Sequence, residues 1–252
     1  MIKAIFFDID NTLFSHKTHH IPESTITAIH ALKQKDILLF TATGRPLSAM
    51  LNLITDLPFD GYITLNGQIC LDQKQELIYH APIRQPDADY IVSAFTHKEI
   101  HATIIERDKM YSNFTKQSFD QDVTAPVPPV GAYTGGDIYQ LIVFGDDTAF
   151  RTLMSHLPGC KMTRWNTYGA DVISKEGGKV MGLRHFLEHF HLRQDEVMAF
   201  GDAENDIDML RFAGVGIAMG NADSAVKEQA DYVTEDIDSD GIYLALKHYG
   251  VI

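Results

Sequence analysis

Two carboxylates one residue apart, Asp8 and Asp10, follow the apolar run Ala4-Ile5-Phe6-Phe7 and flank Ile9. A short continuous apolar run of this kind predicts a strand buried on both faces. In a strand, residues i and i+2 point the same way, which puts Asp8 and Asp10 on one side of its carboxyl end. That end of an open parallel sheet is where α/β proteins bind ligands. Two like charges about 4 Å apart repel by roughly 4 kcal/mol at an effective dielectric near 20, so the pair needs a cation, a shared proton or a partner. Taken alone, the same residues also suit an Asp-rich turn that closes a core strand.

Three further stretches carry groups that could complete such a site. They are Thr43-Gly44-Arg45, Lys179 after Gly177-Gly178, and Gly201-Asp202-Ala203-Glu204-Asn205-Asp206. Each by itself is what capping and solvation ordinarily use. Together they read as a phosphoryl-transfer site. Asp8 is placed to act as a carboxylate nucleophile that forms an aspartyl-phosphate. Asp10, on the same strand face, can protonate the leaving oxygen and then activate water. A phosphate dianion brought to two carboxylates needs compensation, and Mg²⁺ supplies it, with Asp202 as the third acidic group. The Lys179 ammonium and the Thr43 hydroxyl would hold the non-bridging oxygens.

The elements that must position these groups alternate between strand and helix. The periodicity predicts strands at 4–9, 37–42 and 61–65, helices over 24–35 and 46–54, and a hairpin over 69–79. Pro46 is expected at the first helical position. After residue 83 the pattern changes to an α+β segment, with a helix at 87–95, strands at 102–106 and 138–144, a helix at 148–157, and a hairpin over 161–173. A polar stretch from Ser118 to Gly136, with Pro126, Pro128 and Pro129, reads as a long loop. From Gly177 the βα rhythm returns, and Lys179 opens a helix. The expected architecture is therefore α/β: a Rossmann-like doubly wound parallel sheet core of residues 1–82 and 174–252, with an inserted α+β cap domain of residues 83–173.

With these motifs on the page, the chain resembles the haloacid-dehalogenase-like phosphatases. Asp8-Ile9-Asp10-Asn11-Thr12, Thr43-Gly44-Arg45, Lys179 and Gly201-Asp202-Ala203-Glu204-Asn205-Asp206 are similar to that family's four motifs, in its order and over the whole chain. The segment after the first motif is too short for a cap. The insert lies between the second and third motifs, as in the Cof-type subgroup with a type-two α/β cap. The resemblance implies Asp8 as nucleophile and Asp10 as acid/base. It also implies Mg²⁺ held by Asp8, the Asp10 backbone carbonyl and Asp202, with Asn205 and Asp206 in support. Asn11 stands where the family usually has Gly, a change that Asn tolerates because it accepts left-handed backbone angles. Candidates to touch substrate are Gly44, Arg45, Asn66 and Asn205 in the core, and Tyr111, Arg164, Trp165 and Asn166 in the insert.

Composition narrows the partners. The 252 residues carry 21 Lys+Arg against 34 Asp+Glu, a net charge of −13, which disfavours nucleic acid. No apolar run approaches the ~20 residues of a membrane span. The first apolar segment is too short for a signal peptide. Cys70 and Cys160 form no metal-ligand spacing, and reduced thiols in the cytoplasm are expected. The Gly-rich run Gly214–Gly220 lacks the spacing of a dinucleotide loop. His185 and His189, at i and i+4, fall opposite the apolar face of their predicted helix and are expected in solvent, not on zinc. The leading expectation is a phosphatase of a small phosphorylated metabolite, a sugar phosphate or phosphorylated cofactor, working as a monomer or weak homo-oligomer. A phosphotransferase or phosphomutase would use the same intermediate. A non-catalytic binding or regulatory protein on this scaffold would have no need of the second carboxylate.

Overall fold

The apolar run at the start of the chain forms strand β1 (Ala4–Phe7), and all four of its residues are buried. A computed structural model describes residues 1–54, 56–115, 130–165 and 167–252. After β1 come α1 (Glu23–Lys33), β2 (Leu38–Ala42), α2 (Leu47–Ile54), β3 (Gly61–Thr64) and the hairpin β4 (Ile69–Asp72) and β5 (Leu77–His80). Then follow α3 (Asp87–Thr96), β6 (His101–Ile105), β7 (Met110–Ser112), β8 (Gln140–Phe144), α4 (Asp147–Ser155), β9 (Cys160–Arg164) and β10 (Gly169–Ser174). The chain ends with α5 (Lys179–His189), β11 (Val197–Gly201), α6 (Ile207–Phe212), β12 (Val215–Ala218), α7 (Ser224–Lys227), β13 (Tyr232–Val233) and α8 (Gly241–His248).

Two units result: Met1–His80 with Gly177–Ile252, and Ala81–Glu176. The second is slightly longer at both ends than the span 83–173 read from the pattern. At its far end Lys175 N–H donates to the Gly159 carbonyl, and Glu176 pairs with Arg84 at 2.8 Å.

The first unit is an α/β layer. Its sheet runs β13-β12-β11-β1-β2-β3-β4-β5. The strands from β13 to β3 pair in parallel, and the β4–β5 hairpin adds an antiparallel edge. Alternation along β1 sends Ala4 and Phe6 into the cluster shared with Phe40, Leu183 and Phe186, the last two from α5. The Phe6 and Phe40 rings lie 4.8 Å apart, and Phe186 meets Phe40 edge-on at 4.8 Å. On the other face Phe7 stacks on Phe200 at 5.2 Å. Asp8 continues the register of Ala4 and Phe6, so it points toward the layer in which α5 begins.

In the second unit an antiparallel sheet runs β7-β6-β8-β10-β9. Ile91 and Phe95 of α3 and Phe150 and Leu153 of α4 join Ala102, Ile104, Leu141, Val143, Ala170 and Val172 in one buried cluster. Asp146 caps α4 by accepting from the Thr148 and Ala149 N–H groups.

Several local expectations shift. Pro46 precedes α2 instead of starting it, and its carbonyl accepts the first helical bonds from Ala49 and Met50. The short strand β7 was not legible in the pattern. Of the expected 118–136 loop, residues 118–129 lie outside the described residues. His185 is half-buried, not in solvent: its ring stacks on Tyr79 of β5 at 3.7 Å, and burial lowers its pKa. Among the described residues, no helix is long and apolar enough to cross a membrane.

Candidate active site

Because β1 lies between β11 and β2 in parallel, the residues that leave these three strands emerge at one edge. From β1 come Asp8 and Asp10, from β2 Thr43-Gly44-Arg45, and from β11 Asp202. Lys179 is the first residue of α5. Its Nζ donates to Asp8 Oδ1 at 2.6 Å and to Asp206 Oδ1 at 2.7 Å. Asp206 spends its second oxygen on the N–H groups of Asp202 and Ala203, both at 3.0 Å. It therefore both anchors the ammonium and shapes the turn after β11. Asp202 Oδ1 accepts from the Thr12 hydroxyl at 2.8 Å. The Asp8 N–H is tied into the sheet by the Phe200 carbonyl at 3.0 Å.

The Asp10 carboxylate is held by Arg45, with Nε on Oδ2 at 2.8 Å and Nη2 on Oδ1 at 2.6 Å, a bidentate fork. His16 Nε2 adds a contact to Oδ1 at 2.7 Å. Thr43 is buried, and its hydroxyl accepts from the Arg45 N–H at 3.1 Å. Asn205 Nδ2 donates to Asn66 Oδ1 at 2.8 Å. Asn11 has φ of 57°, the left-handed conformation open to Asn, and its carbonyl accepts from Asn221 Nδ2.

The electrostatics follow from this crowding. Burial, together with the neighbouring carboxylates of Asp206, Asp202 and Asp10, pushes the Asp8 pKa up against the opposing pull of Lys179. Burial and the charge of Asp206 lift Asp202 to about 7. Burial would also raise Asp10, but the Arg45 hydrogen bonds and charge, helped by His16, outweigh it and hold that carboxyl below its ordinary value. Burial disfavours the Lys179 ammonium, yet the charges of Asp206 and Asp8 prevail and raise its pKa.

With Asp8, Asp10, Asp202 and Asp206 all ionised, the site would carry two negative charges beyond those that Lys179 and Arg45 balance, and a divalent cation would favour that state by neutralising them. One oxygen from each of Asp8, Asp202 and Asp206 lies within 4.8 Å of the others, so these acids could hold a metal ion. The donor set is all oxygen, as hard divalent cations prefer.

Of the residues singled out from sequence, Asp8, Asp10, Thr43, Gly44, Arg45, Asn66, Lys179, Asp202, Asn205 and Asp206 belong to this unit. Arg164 and Trp165 belong to the other. The Arg164 guanidinium holds Asp147 at 2.7 Å and the Thr167 carbonyl at 2.6 Å, and lies over the Phe150 ring. Trp165 is exposed, with Nε1 donating to Asp171 at 3.3 Å. Tyr111 is buried and shares a hydroxyl contact with Thr134, and Asn166 lies outside the described residues. Sequence reasoning passed over His16 and Asn221. His16 stands six residues beyond Asp10 in a polar link, and Asn221 follows a Gly-rich run, so neither carried a distinctive pattern.

This α/β sheet collects acids, a buried lysine and an arginine at its strand ends, a setting suited to an anionic ligand and a divalent cation. Residues 5–246 match the model of the haloacid dehalogenase-like hydrolases, and the chain belongs to that family. It is similar to YkrA of Bacillus subtilis, whose name places it provisionally among the phosphatases, at 30% identity over 99% of this chain and 98% of the relative. A Streptococcus pyogenes protein, named provisionally as a bifunctional phosphatase and peptidyl-prolyl cis-trans isomerase, is 32% identical over all of this chain, which spans 54% of that relative's length. Among solved structures, a sugar phosphatase of HAD subclass IIB superposes with a TM-score of 0.89 at 36% identity, covering 99% of this chain and 100% of that one. The chain is thus an enzyme of the phosphatase kind, with the Cof-type architecture its motif order resembles.

Proposed function

We propose that this enzyme hydrolyses a small phosphorylated metabolite, a sugar phosphate or a phosphorylated cofactor, through a phosphoryl group carried transiently on Asp8. The observation that carries the reading is the Asp8–Lys179–Asp206 array. It presents a carboxylate beside a fixed ammonium at the sheet edge, within reach of a third acid, Asp202. An Asp8 oxygen attacks phosphorus, and the bond from phosphorus to the ester oxygen breaks. Asp10 gives its proton to the departing oxygen. Asp10 then takes a proton from water, whose oxygen attacks phosphorus, and the bond to Asp8 breaks to release phosphate. Lys179 and the Thr43 hydroxyl steady the non-bridging oxygens. The Arg45 fork favours the ionised form of Asp10, whereas the burial of its carboxyl favours the protonated one.

Mg²⁺ would be held by Asp8, the Asp10 backbone carbonyl and Asp202. Asp206 supports the site, since both of its oxygens already accept hydrogen bonds. When bound, the ion supplies charge neutralisation for the incoming phosphate. Gly44, Arg45, Asn66 and Asn205 are the substrate contacts of the core, and the inserted unit is the specificity domain, in which Arg164 is the candidate residue. The likeness to a sugar phosphatase supports sugar phosphates as the first substrates to try.

The test is phosphate release from a panel of phosphorylated sugars and cofactor precursors, with and without magnesium. Release that needs magnesium and disappears in Asp8→Asn is expected. Turnover that survives Asp8→Asn removes the nucleophile. An isomerised sugar phosphate with little free phosphate turns the reading to a mutase.

A further inference from the structure

The residues that follow β3 wind left-handed: Leu65, Asn66 and Gly67 have φ of 50°, 55° and 83°. Such a run is unfavourable for a residue with a Cβ and persists only where its surroundings impose it. Here the turn is tied into the site from several sides. The Leu65 N–H donates to the Arg45 carbonyl at 3.1 Å, the Asn66 N–H to the Thr43 carbonyl at 2.9 Å, and the Asn66 side chain accepts from Asn205.

Gly67 and the residue after it, Gln68, meet the backbone that leads into Lys179. A Cβ on Gly67 would sit 2.1 Å from the Gly178 carbonyl oxygen, and a Cβ on Gly177 would sit 1.6 Å from Gln68 Nε2. Each missing side chain admits the opposite segment, so residues 67–68 and 177–178 interlock. Gly178, at φ of 124°, is itself in a backbone conformation that L side chains rarely adopt. Gln68 is fully buried at 0% exposure, and neither of its amide atoms has a hydrogen-bond partner among the described residues. A buried amide left unpaired is a cost to stability, and native structures keep such groups where another demand requires them. The shape and place of Gln68 point to that demand, because its amide wedges against Gly177, two residues before Lys179.

We propose that Gln68 is a positioning residue for Lys179. With Gly67 it locks the Gly177-Gly178 backbone, and through it places the Lys179 ammonium between Asp8 and Asp206. The role rests on the reading above, in which Lys179 steadies the transferring phosphoryl group. Misplacement of a reacting group by 1 Å costs on the order of 10²-fold in rate, so a small slip of this backbone is enough to matter.

The experiment measures kcat, KM and thermal midpoint with p-nitrophenyl phosphate at saturating magnesium for Gly177→Ala, Gln68→Ala, the double variant, Gln68→Met and Lys179→Met. Gly177→Ala is expected to lower kcat by about 10²-fold with KM within about twofold, because its methyl collides with the Gln68 amide. Adding Gln68→Ala vacates that space and is expected to recover at least about tenfold of the loss. Gln68→Ala alone is expected to lower kcat about tenfold, and Gln68→Met, which keeps the length, to retain it. Should Gly177→Ala not fold, the contrast between the Ala and Met variants at position 68 decides. If Lys179→Met is inactive while Gly177→Ala and Gln68→Ala turn over like the parent, the positioning role alone falls. A kcat loss in Gln68→Ala that is explained by a lower folded fraction also overturns it. If Lys179→Met keeps turnover, the reading of Lys179 falls and the positioning role with it.

Discussion

In the first unit the Lys179 ammonium, 1% exposed, is closed between Asp8 and an Asp206 side chain at 0%, whereas in the second Arg164 and Asp147 pair at 40% and 64% exposure. The same kind of contact, at 2.6–2.7 Å in both places, has different worth. At the surface, water screens the charges and ordering the side chains offsets much of the gain. In the interior, each group depends on its partners, because an unpaired buried charge is strongly unfavourable. The parallel sheet provides this depth: the first unit's acids leave strands flanked on both sides, while β9, which ends in Arg164, is an edge strand. Fixed charge that must meet a developing negative charge belongs on the first kind of support.

This contrast can be broken at several points. Lys179→Met is expected to lower kcat by about two to three decades, as for loss of one preorganised donor. It should also cost about 3–5 kcal/mol in urea unfolding, since Asp8 and Asp206 are left buried without their cation. A Lys179→Met protein as stable as its parent would remove the distinction between the units. Phe186→Ala, deep in the ring cluster of the first unit, should cost about 3–5 kcal/mol by the same measurement. Asp87→Ala sharpens the comparison, because Asp87 is a buried carboxylate of the second unit with a structural task, accepting from the Gly159 N–H at 2.7 Å. Its loss should cost about 1–3 kcal/mol and leave the kcat of the folded enzyme in place. Arg164→Ala should change stability by less than about 1 kcal/mol. Finally, burial, with Asp87 beside it, pushes the Cys160 thiol up to about 12, and burial raises Cys70 as well. At pH 8 neither should react with a thiol reagent until the protein is unfolded, and rapid labelling of the native protein would count against these packed interiors.

Much of the fold was legible because its signals are local. The run Ala4–Phe7 is apolar on both faces and so reads as a central strand, and the change of rhythm near residues 83 and 177 marks where one unit interrupts the other. What stayed hidden depends on neighbours distant in sequence. The pattern of α5 gives His185 a polar face, but only the placement of β5 brings Tyr79 beneath its ring. β7 is three residues long, too short for periodicity to mark, and is held by its pairing with β6. Gln68 carries no local signal, since the gap it meets is at Gly177, more than a hundred positions away.

For the paired acids at the head of the chain, sequence alone determined their types, their place just after a buried apolar strand and the need for a cation. A continuous apolar run and repulsion between like charges require nothing beyond neighbouring residues. Tertiary structure decided which cation each one has. Asp8 goes to Lys179, 171 positions along the chain, and Asp10 to Arg45, because strand order and the helix that follows each strand bring those ends together. It also decided that Asp206 binds Lys179 with one oxygen and the turn after β11 with the other. Such choices follow from the packing of the whole sheet, which no local pattern encodes.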